Sequence, residues 1–209
     1  MVHNMISLSS ENKLFSGGYR DVYQHPLDEK LLIKVMNTSR WERKSRFQKK
    51  YLYHYFFTKV FVRETAEYIR LQFRDNLESD FIQSIIGFCH TNLGFGLIVK
   101  AELSQTGEYA KTLQHLVDTK QINSEVNHHL KILLEKILAT SVIISDLNLK
   151  NIVYAYNRND KSYQFILIDG IGDKTFIPVQ NIFPFIRKYC KSKYTRKIKE
   201  IINQSDANT

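Results

Sequence analysis

Asp146 and Asn151 stand five residues apart in the stretch Ser145-Asp146-Leu147-Asn148-Leu149-Lys150-Asn151-Ile152-Val153. Asp169 closes a second apolar run, Phe165-Ile166-Leu167-Ile168-Asp169-Gly170. Two carboxylates and an amide delivered at two strand edges suit phosphoryl transfer. That chemistry asks a protein to hold the phosphates, neutralise their charge and orient the attacking hydroxyl. Asp146 can accept the proton of such a hydroxyl. Asn151 offers an uncharged oxygen to a metal, and Asp169 offers the carboxylate that a hard cation such as magnesium prefers. Taken singly, each residue also reads as an ordinary turn former. All three at this spacing, after an amphipathic helix and divided by a hairpin, read as a site.

The same chemistry needs a cation for the phosphates. Lys34 lies inside the apolar, β-branched run Leu31-Leu32-Ile33-Lys34-Val35-Met36, which reads as a strand. A lysine there must reach solvent or find a charged partner. Glu64, on the following helical stretch, is the leading partner, and Glu67 on the same face is the alternative. Upstream, Phe15-Ser16-Gly17-Gly18 is a turn in which Gly17 and Gly18 allow a phosphate to approach the backbone. His128 and His129 are adjacent, so on a helix they point about 100° apart and cannot share a metal. Cys89 and Cys190 make neither a disulfide framework nor a metal pattern, and no base stands beside either to activate a thiol.

The elements that must position these residues follow from periodicity. Leu14 to Val35 reads as a hairpin turning at His25-Pro26-Leu27-Asp28, and Arg40 to Leu71 is helical in composition, without Gly or Pro. Phe81 to Cys89 and Leu93 to Ala101 read as two strands. Asn127 to Thr140 is the clearest helix: Leu130, Leu133, Leu134, Ile137 and Leu138 form an apolar face, and Asn123 is placed to cap it. A second hairpin, Ile152 to Tyr156 with Tyr163 to Ile168, carries Asn151 and Asp169 at its ends. Val179 to Ile202 alternates apolar and basic residues and reads as a helix, with Asp206 to Thr209 frayed. The chain is therefore expected to be α+β.

With 209 residues, 43% of them hydrophobic, the chain can bury a real core and is not of disordered composition. Its apolar runs are too short for a membrane span, and no signal peptide is evident, so a reducing cytoplasm is expected. The net charge of +9 is concentrated in Arg40 to Lys50 and Arg187 to Lys199, read as exposed helical faces. General attraction to phosphates accounts for it better than dedicated nucleic-acid binding, since no readout motif accompanies the charge.

These residues resemble the protein kinase-like superfamily and, more closely, the PhoP-regulated YrbL family of small bacterial kinase-like proteins. The likeness rests on Gly17-Gly18-Tyr19-Arg20-Asp21-Val22-Tyr23-Gln24-His25-Pro26, Ile33-Lys34-Val35 and Arg63-Glu64. It continues in Asp146 to Ile152 and in Ile168-Asp169-Gly170-Ile171-Gly172-Asp173-Lys174-Thr175-Phe176-Ile177-Pro178. The resemblance implies a bilobal kinase-like fold, with residues 1–101 as an N-terminal lobe of antiparallel sheet plus helix. Residues 102–209 would be a reduced, mainly helical C-terminal lobe. It implies ATP and Mg2+ as cofactors, Lys34 paired with Glu64 against the phosphates, and Gly17 and Gly18 lining them. Asp146 would be the catalytic base, Asn151 and Asp169 the metal ligands, and Val99 to Glu102, including Ala101, the hinge contacting adenine.

The departures shape the expected substrate. Phe15 and Arg20 stand where two of the superfamily's loop glycines fall, and Ile144-Ser145 precede the catalytic Asp in place of His-Arg. Asn148 replaces a lysine, with Lys150 near it, and Gly170-Ile171 replace Phe-Gly. The stretch after Asp169 is too short for a peptide-binding subdomain. A hydroxyl acceptor on a small molecule, sugar or lipid-linked glycan precursor is the expected partner. Peripheral contact with an anionic membrane or with surface glycan precursors is the further partner expectation, the sequence not deciding whether the basic tail meets a membrane, with no specific nucleic acid. A pseudokinase that senses nucleotide or docks a partner is the alternative.

Overall fold

The computed structural model describes residues 5–37, 59, 61–73, 80–173 and 179–207, with side chains to Ile202. The basic run Arg40–Lys50, Val60 and residues 174–178, which carry parts of the sequence reading, lie outside the described residues. The chain divides into two units: Met1–Val62 with Ser84–Ala101, and Arg63–Gln83 with Glu102–Thr209.

The first unit is built on a five-stranded antiparallel sheet in the order β1-β2-β3-β5-β4. Its strands are β1 (Lys13–Ser16), β2 (Arg20–His25), β3 (Asp28–Met36), β4 (Ile85–Thr91) and β5 (Gly94–Lys100). The Gly17-Gly18 turn joins β1 to β2. The His25-Pro26 turn joins β2 to β3, with Val22 opposite Lys34 and Tyr23 opposite Ile33. Side chains alternate across a strand, so Ile33 and Val35 share one face and enter a core with Leu8 and Tyr23. Lys34 shares the other face with Leu32, and both are buried. The β4–β5 hairpin turns at Asn92-Leu93, so His90 and Thr91 belong to β4 instead of to the turn.

The second unit holds the larger core. Among the described residues it contains α1 (helical residues 61–73, from Arg63 onward), a three-stranded sheet and four further α-helices. The sheet order is β6-β7-β8, with β6 (Lys111–Thr112), β7 (Ile152–Asn157) and β8 (Ser162–Leu167). The helices are α2 (Leu113–Asp118), α3 (Ser124–Ala139), α4 (Val179–Ile182) and α5 (Pro184–Ala207). Asn123 caps α3, accepting from the Val126 N–H at 2.8 Å. Val126, Leu130, Leu133, Leu134 and Ile137 are the buried face of α3. Leu138, expected on that face, is 43% exposed. It stands roughly 100° from the centre of the buried stripe, at its flank. Ile198 and Ile202 of α5 join the same core, and the helix continues through Asp206 to Ala207, beyond the expected fraying point.

Residues 63–83, assigned by sequence to the N-terminal lobe, group with this second unit. Leu71, Phe81 and Ile82 enter its core. The segment 81–83 also runs beside β8, with Leu167 donating to Phe81 O at 2.7 Å and Gln83 to Leu167 O at 2.8 Å. The expected α+β class, antiparallel sheet first and helices towards the C-terminus, is the one the chain adopts. No helix among the described residues is long and apolar enough to cross a membrane.

Candidate functional site

Two segments of the second unit, 143–151 and 168–172, lie side by side through an antiparallel bridge between Ile144 and Ile171. Gly172 N–H donates to Ile143 O at 2.9 Å. The carbonyl of Gly170 gathers three donors: Ser145 N–H at 2.9 Å, Asp146 N–H at 3.1 Å and the Ser145 hydroxyl at 3.1 Å. The Asn151 amide donates from Nδ2 to Asp146 O at 3.3 Å, and Ile168 N–H donates to Asn151 O at 2.9 Å. Asp169 bends onto its own turn, its Oδ1 accepting from Gly170 N–H at 2.6 Å. Asp146, Asn151 and Asp169 are thus brought together as three neighbouring, half-buried side chains.

Gly170 makes this closeness possible. Its φ is +90°, a region L side chains rarely adopt, and a Cβ there would lie 2.1 Å from Asp146 O. Asn148 caps the short turn Leu149–Asn151, accepting from Lys150 N–H at 3.1 Å. That leaves the Lys150 side chain exposed.

The loop is also braced from behind, by residues whose role the sequence did not suggest. Glu67, buried, accepts from Ile143 N–H at 2.7 Å and from Arg70 Nε at 2.9 Å and Nη2 at 2.5 Å. Arg70 in turn donates to Ser141 O at 2.8 Å. Glu67 is therefore engaged at the entry to the Asp146 loop. From α5, the Tyr194 hydroxyl donates to Ser145 O at 2.9 Å, and the buried Lys191 ammonium donates to Thr140 O. Burial raises the Tyr194 hydroxyl above its ordinary pKa, and the nearby Asp146 carboxylate adds to the shift. Lys191 corrects the sequence reading of Arg187 to Lys199 as a wholly exposed face. The signal that could have found it is its spacing from Thr195, Ile198 and Ile202, which puts all four on one stripe.

In the first unit, Gly17 and Gly18 are exposed, in a turn closed by Gly17 N–H donating to Arg20 O at 2.8 Å. Asp21 anchors the base of that turn. Its carboxylate accepts from Lys13 Nζ at 2.8 Å, Ser16 Oγ at 2.7 Å and Asn37 Nδ2 at 3.0 Å, tying three strands together. The Asp21 carboxylate, by hydrogen bond and charge, holds the Lys13 ammonium above its usual pKa. Lys34 is buried in β3, and Glu64 is buried on α1. Val99, fully buried and paired with both Leu32 and Ile85, presents no side chain to a ligand. Ala101 N–H donates to Lys30 O at 2.7 Å, immediately before the boundary between the units.

The donor set fits magnesium. Hard cations take oxygen ligands, and magnesium keeps waters and substrate phosphates, so it asks for only one or two protein ligands. Asp169 supplies a carboxylate. With Nδ2 of Asn151 tethered to Asp146 O, the amide oxygen is the Asn151 atom available to a cation. No group of three His, Cys, Asp or Glu forms a closed metal cage among the described residues.

No curated protein matches the chain in sequence. Among solved structures, the chain is similar to Rad53 1-466 crystallised in complex with AMP-PNP. The identity is 13%, the TM-score 0.45, and the match covers 77% of this chain. It spans only 37% of the length of that one. A family described as PhoP regulatory network protein YrbL matches residues 6–206. The chain belongs to the YrbL family of PhoP regulatory network proteins.

Proposed function

We propose that this chain is a kinase-like phosphotransferase that binds ATP and magnesium and passes a phosphate to a hydroxyl of a small-molecule or cell-envelope glycan substrate. One observation carries the reading: Asp146, Asn151 and the Asp169-Gly170 turn are locked together through the Gly170 carbonyl and the Asp146 carbonyl. Lys34 supports it from the third strand of its sheet, the strand from which a kinase lysine reaches nucleotide phosphates.

In the transfer, Asp146 accepts the acceptor's hydroxyl proton while that oxygen attacks the γ-phosphorus, and ADP leaves with the bond it held to that phosphorus. Asn151 and Asp169 hold magnesium, which when bound neutralises phosphate charge. Lys34 is assigned to the phosphates with Glu64 as its acid, the exposed Gly17-Gly18 turn lets a phosphate approach the backbone, and Val99 to Ala101 are assigned to adenine. Glu67 serves the Asp146 loop through Arg70 and Ile143, and Glu64, buried on α1, is the acid assigned to Lys34. The cytoplasm, where ATP is available, suits this chemistry.

A regulatory pseudokinase is the second reading, and Asn148 favours it. Where the superfamily places a lysine, this side chain caps its own turn and offers no positive charge to a developing transition state.

Calorimetric titration with ATP, with and without magnesium, tests the proposal beside the Asp169→Ala variant. Magnesium-dependent binding that the variant loses is expected. Phosphorylated product from sugar or lipid-linked acceptors, abolished in Asp146→Asn, is expected for the enzyme. Binding without turnover on such acceptors would support the pseudokinase. Absence of nucleotide binding in the parent protein would overturn the phosphotransferase and leave a partner-docking module.

A further inference from the structure

The outward face of α5 takes no part in the proposed transfer, yet it has a composition of its own. Lys191, Thr195, Ile198 and Ile202 define the buried stripe. On the outer side, roughly 110° to 170° away, stand Phe185, Tyr189, Lys193 and Arg196. Phe185 and Tyr189 are each 69% exposed. Just before them, at the junction of α4 and α5, Ile182 and Phe183 are exposed as well, with the Phe183 and Phe185 rings 5.7 Å apart. Lys188, Lys193, Arg196, Lys197 and Lys199 are all exposed along the same helix. Glu200, 3.7 Å from Arg196, is the one acidic residue between Pro184 and Ile202.

We infer that this face docks on an anionic lipid bilayer. Exposed apolar side chains clustered at one end of a helix, with cations spread along the rest, match the two layers of such a surface. Aromatic and aliphatic groups enter the headgroup boundary while lysines and arginine stay among the phosphates. The charge is complementary to lipid phosphate. The exposed aliphatic Ile182 beside two phenyl rings favours a bilayer over nucleic acid. Single strands also tend to lie in grooves with aromatic platforms, and this face is the convex side of one helix. The helix itself stays folded against its core through Ile198 and Ile202, so docking needs no unfolding.

Co-sedimentation of the full chain with lipid vesicles tests this. The comparison is between phosphatidylcholine alone and phosphatidylcholine mixed with phosphatidylglycerol, at low and high salt. The expected result is partition at least about tenfold stronger onto the anionic vesicles, weakened by salt. Phe185→Ser with Tyr189→Ser, and separately Lys193→Glu with Lys197→Glu, should each remove most of it. All four positions are exposed, so circular dichroism and melting should be unchanged. Equal binding to neutral and anionic vesicles, or none, overturns the inference. So does anionic binding that both double variants retain, which would map it to another basic segment. Retention on a DNA fragment that exceeds vesicle binding and ignores the aromatic pair would assign the face to nucleic acid instead.

Discussion

Gly170→Ala should damage both the stability and the candidate site, and its size can be worked from the geometry. A β-carbon at 170 would stand 2.1 Å from Asp146 O and 2.9 Å from Asp146 C, where contacts below 3.0 Å essentially never occur. The Asp146 peptide must therefore retreat by nearly an ångström. That movement threatens the bonds from Ser145 N–H, Asp146 N–H and the Ser145 hydroxyl to Gly170 O, worth about 1 kcal/mol each. A side chain at φ +90° adds about 1 kcal/mol of backbone strain. Allowing for partial relaxation, the loss is about 3 kcal/mol, which in urea shifts the midpoint down by roughly 1.5 M for a slope of about 2 kcal/mol/M. Magnesium-dependent ATP binding should fall with it, because the same peptide carries the Asn151 tether. Gly87→Ala is the control: no atom lies within 4 Å of its added carbon and its φ needs no glycine. Urea denaturation and calorimetry read the two variants together. If Gly170→Ala unfolds at the parent's midpoint and binds nucleotide as the parent does, the account of this close approach is wrong.

Two further outcomes follow, one from a bracing group and one from a half-buried phenol. Glu67→Ala leaves the Arg70 guanidinium and the Ile143 N–H without the carboxylate they share, so a loss of about 3 kcal/mol in chemical denaturation is expected; a loss below about 0.5 kcal/mol would mean that the bridge contributes little. Tyr154 is held up to about 12 by burial, with the Glu125 and Tyr163 charges adding to it. Its folded pKa lies above the unfolded one, so its contribution is fully present below about pH 10 and is lost as pH rises towards 12. Tyr154→Phe should flatten that part of the alkaline stability curve, and ultraviolet titration of tyrosinate should show one fewer late-ionising phenol; an unchanged curve would count against the buried phenol.

Local chemistry is legible without a fold. Asp146 and Asn151 at a five-residue spacing, an apolar hairpin after them and Asp169-Gly170 at its far end are all visible in the chain. Each depends on neighbours a few residues away: strand alternation, a turn former, a carboxylate at a strand end. The cap at Asn123 and most of the α3 face are readable for the same reason, since helical period and capping are short-range. Leu138 shows the limit of that reading. A position on the edge of a stripe is buried or exposed according to what packs beside it, and period alone does not say.

What only the tertiary structure decided are the bonds between distant segments. Ser145 meets Gly170 across 25 positions, Tyr194 meets Ser145 across 49, and Glu67 meets Ile143 across 76. Buried polar groups must find partners, but the partner is chosen by which surfaces pack together, and that choice leaves no periodic trace in composition. Hence Glu67, the alternative partner for Lys34 in the sequence, is held instead by Ile143 and Arg70. Likewise one lysine in a basic tail, Lys191, turns inward to Thr140 while Lys193 and Lys197 face solvent. The sequence supplied the candidate groups and their local frames; packing decided which distant segments hold them.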